Sequence, residues 1–459
     1  MSSVVKYDLT EGPIPRHLVR MTIPMIWGIM ALVSFQLVDA YYISRLGTLQ
    51  LASISYTFPI TYGIFSIFIG FGVAASSVIS RMIGERRTED MKRVASHSLL
   101  IVLIVSIVIG LVGLVLIDPV FKAIGAKPEE LELIRSFMIP YLCATFFVSM
   151  PVVGNATLRA SGDAFAPAMI MTVAAVINAL VNPVLIFGLF GVPRMELMGA
   201  AIGTIFANII AMIACLRLMY KRGVIDFRYI WNLSDFSDST KRIVMIALPV
   251  GITGLLPAIL GSVINHLLAQ TGGGASAVAA YGAAGRMEAF LLIILMALSI
   301  GMGPIIGQNW GAQKIDRVRE TVKYAISFSV IWSVTTALLI SFFAHPIART
   351  FSNDPDVREN LVLYLVIVPM SYFLGNISHG WGSTFNAIGK PQISAIMIFI
   401  KMILLSIPAV VIGHSIGGVT GIFIAISAVN FITGAVYHIW AWKGLGRRWI
   451  PAVVPLGDK

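Results

Sequence analysis

Residues 95–117 read ASHSLLIVLIVSIVIGLVGLVLI, a run without a single Asp, Glu, Lys or Arg. A helix over this run, rising about 1.5 Å per residue, would be about 34 Å long, enough to cross the hydrocarbon core of a bilayer. The whole chain has the same character, since 57% of its 459 residues are hydrophobic and only 12% are charged. A water-soluble fold cannot bury so much apolar surface, so the sequence predicts an integral membrane protein.

Similar apolar runs occupy almost the entire chain and leave no soluble domain between them. Together they predict an all-α protein with twelve transmembrane helices, because only helices satisfy every backbone hydrogen bond in such runs. The predicted spans are 17–43, 52–80, 95–117, 134–158, 165–190, 198–220, 242–270, 276–308, 320–344, 358–385, 392–413 and 417–442.

The net charge of +11 is distributed very unevenly over the predicted loops. About 24 Lys and Arg residues fall on the side of the N-terminus and about 7 on the other, which is the pattern of the positive-inside rule. The basic residues therefore indicate topology and not a nucleic-acid partner. We expect a multi-pass protein of the cell (inner) membrane, in contact with the lipid bilayer, with both termini cytoplasmic.

The two halves of the sequence resemble each other at an offset near 227 residues. The segment 160–162 with Pro167 corresponds to 387–389 with Pro391, and three further pairs of segments match in the same order. Each repeat holds six spans, so both halves enter the membrane in the same sense. This predicts two six-helix bundles related by a pseudo-twofold axis along the membrane normal, with a central cleft that can open to either side.

The repeat and the polar segment at its centre define the predicted domains. They are an N-terminal six-helix bundle over 1–220, a cytoplasmic linker over 221–241 and a C-terminal six-helix bundle over 242–459. The sequence contains no phosphate-binding Gly-x-x-x-x-Gly-Lys-Ser/Thr motif and no nucleophile elbow. We therefore expect a secondary transporter driven by an ion gradient, not an enzyme, acting as a monomer without a cofactor or a metal site.

An acidic residue inside the first span is the sharpest functional signal. Asp39 shares one helix face with Gln36 and Tyr42, three residues away on either side. A carboxylate near the middle of a membrane costs about 2.5–3.5 kcal/mol, so it persists where it is partnered, solvated or used. The alternative is an anchor at the outer interface, because Arg45 follows six residues later. We assign ion coupling to Asp39 and cargo contact to Gln36 and Tyr42.

Two amides lie on one face of the fifth span, Asn178 and Asn182, four residues apart. Amides in lipid must hydrogen-bond another helix or cavity water, so helix association is the alternative to a functional role. Pro183 leaves a backbone carbonyl without its usual partner and so adds an acceptor nearby. Asn155 in the fourth span is a weaker candidate for cargo contact.

The second half carries charges deep in its spans. Arg286 and Glu288 diverge on the eighth span, and Arg286 is the stronger candidate for ion coupling, with structural pairing as the alternative. Lys401 follows nine apolar or small residues, and we expect it to snorkel or to find a local partner. Pro24, half a helix away from Asp39, is a candidate hinge.

Four segments resemble the multidrug and toxic compound extrusion (MATE) family. The most specific is 301–314, GMGPIIGQNWGAQK, which is similar to the family's Gly-Gln-Asn-x-Gly-Ala stretch. The others are 158–163, LRASGD, the first-helix pair Val38-Asp39, and 182–188, NPVLIFG. The resemblance covers nearly the whole chain and implies twelve helices in a six-plus-six arrangement.

Within that family, Asp39 and Arg286 match positions of the proton-coupled DinF-like branch. The acids that the NorM-related branch carries in its seventh and tenth helices are missing, and Asn182 stands where some DinF-like members have aspartate. The resemblance implies export of amphipathic, often cationic, organic molecules in exchange for H⁺. A Na⁺-coupled drug antiporter, or a flippase for lipids or lipid-linked oligosaccharides, is the alternative.

Overall fold

The computed structural model describes residues 7–445, and every regular element in that range is helical. Prolines and short polar turns separate the helices, as expected where a chain leaves one span and enters the next. The helices of the first part are α1 (Ile14–Ser44), α2 (Thr48–Gly84), α3 (Thr88–Ala123), α4 (Pro128–Cys143), α5 (Thr145–Ala160), α6 (Phe165–Phe187), α7 (Glu196–Lys221), α8 (Arg228–Trp231) and α9 (Phe236–Thr253).

The second part includes one segment of π-helix, Ile400–Ser406, between two α-helices. Its α-helices are α10 (Leu256–Ala269), α11 (Gly274–Gly311), α12 (Ile315–Phe342), α13 (Ala344–Phe351), α14 (Pro355–Ile367), α15 (Tyr372–Ala387), α16 (Pro391–Phe399) and α17 (Ile407–Gly444). Two 3-10 turns, Leu189–Gly191 and Pro369–Ser371, complete the described structure.

Twelve crossings of the membrane can be assigned within the described residues. Ten helical stretches are long and apolar enough to span a bilayer, and the pair α4 and α5, bent by 53°, forms another span. The stretch Pro391–Gly444 has 54 residues, about 80 Å of helix and more than twice the hydrocarbon thickness. Gly417 and Gly418 interrupt it with non-helical backbone, so it crosses twice. The predicted all-α class with twelve transmembrane helices is confirmed.

The helix boundaries repeat at the offset that the sequence indicated. Breaks inside spans recur as well, since the bend at Ala144 has its counterpart in the 3-10 turn Pro369–Ser371. Pairs of boundaries separated by 227 residues are Gly84 and Gly311, Thr88 and Ile315, Pro128 and Pro355, and Ala160 and Ala387. The sequence repeat is thus also a repeat of helical elements.

Packing divides the chain into two compact units. Unit 1 contains the residues up to Leu255 together with Gly303–Ala312 and Asn386–Pro391, and unit 2 contains Leu256–Met302, Gln313–Phe385 and the residues from Gln392 onward. The predicted linker 221–241 holds α8 and the start of α9. The bundles over 1–220 and 242–459 stay predictions, and their outermost residues, 1–6 and 446–459, lie outside the described part of the chain.

Close approach of α2 and α9 explains why α9 belongs to unit 1. A Cβ atom on Gly70 would lie 2.3 Å from the backbone oxygen of Ala247, so only glycine permits this contact. Ser66 adds a hydrogen bond of 3.0 Å to the backbone oxygen of Gly251. Small residues and side-chain hydrogen bonds, not apolarity alone, therefore fix which helices pack together in unit 1.

Candidate ion-coupling site

Asp39 lies near the C-terminal end of α1, which packs along α6. The side-chain amide of Asn182 on α6 donates a hydrogen bond to the Asp39 carboxylate, with 2.6 Å between Nδ2 and Oδ1. Asn182 is fully buried and Asp39 is half-buried. Within residues 7–445 no cationic side chain pairs with Asp39, and Arg45 instead donates to the hydroxyl of Tyr41 at 2.9 Å. A proton, a metal cation or a cationic cargo is left to balance the carboxylate.

The carbonyl that Pro183 frees is used inside this site. Proline has no N–H, so the backbone oxygen of Ala179, four residues earlier, lacks its helical donor. The hydroxyl of Tyr42 donates to that oxygen at 3.1 Å, and the Tyr42 ring packs edge-on against Phe187. Tyr42 thereby fixes α1 against α6 one turn from Asp39, and it holds the carboxylate beside Asn182.

The third helix of the site is α7, and its role was missed in the sequence. Asn178 donates to the hydroxyl of Thr204 on α7 at 3.2 Å. A Cβ atom on Gly203 would lie 1.9 Å from Oδ1 of Asn182, and one on Gly199 would lie 2.7 Å from the backbone of Leu185. The signal was present as the Gly-x-x-x-Gly spacing of 199–203, which lets two membrane helices approach closely.

The structure does not bring every candidate of unit 1 into this cluster. Gln36 is exposed on α1, two turns before the helix ends. Asn155 is buried on α5, and its Oδ1 has no hydrogen-bond partner among the described residues. Pro24 lies within the continuous helix α1. Asp39, Asn178, Asn182 and Tyr42 are therefore the candidates that share direct contacts across α1, α6 and α7.

Arg286 belongs to unit 2, where it is exposed on α11. Glu288 diverges from it, as the spacing predicted, and accepts a hydrogen bond of 2.9 Å from the hydroxyl of Tyr364. Lys401 does not snorkel: only 7% of it is exposed, because it lies on the inner side of the π-helix. No group of three or more metal-binding side chains occurs between residues 7 and 445.

Comparison with known families bears on both halves of the chain. The model of the MatE family matches residues 24–184 and 249–412, once in each sequence repeat. The chain belongs to the MATE family. The match covers most of the length of this MATE transporter. It includes the part of α1 that carries Asp39 and the part of α6 that carries Asn178 and Asn182.

Relatives of this MATE transporter differ in what their names say they carry. A protein of Shewanella oneidensis named FAD transporter is 34% identical over 436 residues, covering 95% of this chain and 96% of the relative. The multidrug export protein MepA of Staphylococcus aureus is 25% identical over 421 residues, covering 91% of each chain.

Solved MATE structures share the fold almost end to end. The Vibrio cholerae MATE transporter VcmN in its bent form superposes with a TM-score of 0.89 at 30% identity, covering 94% of this chain and 97% of VcmN. A transporter from Pyrococcus furiosus gives a TM-score of 0.86 at 26% identity over 95% and 97% of the two chains.

Proposed function

We propose that this MATE transporter exports small amphipathic organic molecules, many of them cationic, in exchange for H⁺ by alternating access. The observation that carries the proposal is the Asp39 carboxylate, which sits on a membrane-spanning helix with a neutral amide as its hydrogen-bond donor. A charge in that position is expensive until something neutralises it. A proton and a cationic cargo can each do so, and because they compete for one carboxylate, binding of one releases the other.

Asn182 is suited to hold Asp39 in both protonation states. Its Nδ2 now donates to the carboxylate, and its Oδ1 has no hydrogen-bond partner within the described residues. A protonated Asp39 is itself a donor. If the side-chain amide of Asn182 rotates so that Nδ2 and Oδ1 exchange places, its Oδ1 can accept from that donor. Proton uptake would then exchange one hydrogen bond for another, without an unsatisfied group in the membrane.

Movement of α1 would connect the proton to the cargo. Pro24 has no N–H, so the carbonyl of Arg20 lacks its helical donor and α1 is weakest there. We infer that α1 bends at Pro24 when Asp39 changes partner, and that this bend releases the cargo outward. In this scheme Asn178, Asn182 and Arg286 support ion coupling, and Gln36, Tyr42 and Asn155 contact the cargo.

The remaining assignments follow from the sequence and the family. We place the protein in the DinF-like branch, on Asp39 and Arg286 and on the missing acids of the seventh and tenth helices. It acts as a monomer in the inner membrane with both termini cytoplasmic, and it is not an enzyme. The two termini themselves lie outside the described residues.

A second candidate cargo is a dinucleotide. The relative named FAD transporter is 34% identical to this chain over 95% of its length. FAD combines a planar aromatic ring system with two phosphates, so it would require cations where a cationic drug requires an acid. Arg286, exposed on α11 in unit 2, is a cation within a membrane-spanning helix that such a cargo could contact.

Reconstituted proteoliposomes test the exchange directly. An outward cargo gradient should acidify the cargo-rich compartment through H⁺ counter-movement, with or without Na⁺, and a protonophore should abolish uphill export. Export that survives the protonophore and follows the Na⁺ gradient would assign Na⁺ as the coupling ion. Parallel assays with a cationic dye and with FAD decide the cargo class, and liposomes carrying the Asp39→Asn variant are the matched control.

A further inference from the structure

The linker between the two sequence repeats presents aromatic side chains that the transport site does not use. Phe227 and Trp231, at the two ends of α8, are 41% and 86% exposed. They are four residues apart, so they lie on one face of this helical turn. Tyr220, in the last turn of α7, is 58% exposed, and its ring centroid lies 5.3 Å from that of Phe227. Tyr220, Phe227 and Trp231 together form the aromatic patch.

Hydrogen bonds hold the linker against α3. The hydroxyl of Ser96 donates to the backbone oxygen of Asp226 at 3.0 Å and accepts from the backbone N–H of the same residue at 3.1 Å. Nε2 of His97 lies 3.2 Å from the backbone oxygen of Asn232. Ser96 and His97 are both buried. The linker is therefore fixed on α3 by its backbone, while the aromatic patch stays exposed.

These contacts also fix the depth of the linker in the membrane. The charge-free run 95–117 enters the bilayer near residue 95, and Ser96 and His97 are its second and third residues. The hydroxyl of Tyr229 donates to Glu89 at 3.0 Å, about 10 Å closer to the start of α3. The linker thus runs along the boundary between hydrocarbon and headgroups. Trp and Tyr side chains concentrate at that boundary.

Two cations accompany the aromatic patch. Arg217 and Lys221 are four residues apart near the end of α7, on the face that also carries Tyr220. Both are exposed, and neither forms an ion pair with another described residue. Other basic residues of this region have acidic partners instead; they are Lys92, Arg93, Arg222 and Arg228. Positive charge without a counter-charge, at the depth of the headgroups, complements an anionic lipid.

A cytosolic protein is the other occupant to consider, since exposed apolar patches also mark protein interfaces. Only the residues 222–235 separate the end of α7 from the start of α9, so the linker cannot project far from the membrane. Its hydrogen bonds to Ser96 and His97 keep it at the level where the apolar run begins. The geometry therefore favours lipid.

We propose that the aromatic patch, with Arg217 and Lys221, binds the headgroups of anionic phospholipids. The three rings lie at the boundary of the hydrocarbon, and the two cations contact the lipid phosphate. A lipid held there would keep the linker and the end of α7 on the membrane surface. This binding does not depend on the proposed exchange of cargo for H⁺.

A fluorescent probe on the patch tests its depth. The purified full-length protein, with Cys143 and Cys215 replaced by alanine, carries Trp231→Cys labelled with nitrobenzoxadiazole, in bilayers of equal parts phosphatidylcholine and phosphatidylglycerol. Nitroxides on lipid headgroups should quench the probe more than nitroxides in the middle of the acyl chains, and aqueous iodide should quench it little. The control is Asp316→Cys at the start of α12, where the side chain is 99% exposed and iodide should quench strongly. Iodide quenching equal to the control, without quenching by lipid, would leave the patch to a protein partner and overturn the proposal.

The same labelled protein tests the preference for anionic lipid. At equal mole fraction, spin-labelled phosphatidylglycerol should quench the probe about twofold more than spin-labelled phosphatidylcholine. High salt should bring this ratio to about one, because it screens the two cations, and Arg217→Gln with Lys221→Gln should do the same. Arg319→Gln with Lys323→Gln, an exposed basic pair of equal spacing on α12, is the matched control and should leave the ratio unchanged. A ratio of one with Arg217 and Lys221 in place, or a ratio that salt does not alter, overturns the proposal.

Discussion

At the scale of single residues, function in this protein depends on polar groups that lipid would otherwise exclude. Asp39 is held by one amide, and Glu288 in the other unit accepts a hydrogen bond from one phenol, that of Tyr364. Within the described residues no cationic side chain forms an ion pair with Asp39. We therefore expect Asp39 to exchange its partner readily.

Substitution of Asp39 is the most direct test at this scale. Asp39→Asn preserves size and hydrogen bonding and removes the titratable charge, so folding should be intact or slightly improved. Uphill export in proteoliposomes should be lost, because no proton is exchanged for cargo at that position. Arg286→Ala, measured beside it, should impair export less. Normal uphill export by a well-folded Asp39→Asn protein would reduce Asp39 to an interfacial anchor.

Asn182→Asp places a second acid beside the first, as in some DinF-like relatives. Two carboxylates within hydrogen-bond distance share a proton, since one neutral acid then donates to its ionised neighbour. Export should continue, with a pH profile displaced toward higher pH, because the pair retains a proton more strongly than Asp39 alone. Export rates measured across pH check this, with Asn182→Ala as the control that removes both donor and acceptor. An unaltered profile would indicate that Asn182 does not act on Asp39.

At the scale of elements, close helix contacts decide where these polar groups are placed. The approach of α7 to α6 depends on glycine, because Gly203 lies directly against Oδ1 of Asn182. Glycine contacts also let α2 approach α11 inside unit 1. Cβ atoms on Gly84 and Gly311 would lie 2.0 and 2.1 Å from backbone oxygens of the facing helix. In a bilayer, where apolar surface alone does not drive helix association, such contacts carry the specificity.

One added methyl group tests the α6–α7 contact. Gly203→Ala should displace the Asn182 side chain and cost about 1–3 kcal/mol of stability by overpacking. We expect a lower melting temperature together with impaired export. Gly261→Ala is the matched control on α10, because nothing lies within 4 Å of the added atom. Equal behaviour of the two variants in thermal-shift and export assays would argue against a tight α6–α7 contact at Gly203.

At the scale of the whole molecule, charged contacts collect at helix ends. The start of α3 and the segment before α9 meet through Arg93 and Asp235, whose side chains are 2.6 Å apart. A second set, with Arg135 beside Asp118 and Gln50 3.2 Å from Glu196, joins the opposite ends of the helices. Each of the two sets would lie on one side of the membrane, which agrees with the uneven distribution of charged residues over the loops.

The topology makes a simple prediction about reporters. A reporter fused at Asp235 should be cytoplasmic and one at Pro355 external, because basic loops stay inside and three crossings separate the two sites. Accessibility of introduced cysteines to a membrane-impermeant reagent in whole cells measures this, with Cys143 and Cys215 replaced beforehand. Finding both positions on the same side would contradict the twelve-helix arrangement.

The sequence by itself determined the helices of this protein. Lipid offers no hydrogen-bond partners, so an apolar run has to fold as a helix, and the run 95–117 is found inside α3. The sequence also determined which backbone carbonyl lacks a helical donor, because Pro183 frees the carbonyl of Ala179 in any surroundings. The helix boundaries repeat at 227 residues because both halves share the sequence signals that start and end helices.

Only the tertiary structure decided which polar groups meet. Asp39 and Asn182 are 143 residues apart, and no periodicity along one helix specifies the face of another that it contacts. The same holds for Glu288, which the sequence left beside Arg286 and the structure joins to Tyr364. Helix pairing depends on glycine contacts and buried hydrogen bonds between distant segments, and these form only once the helices have packed.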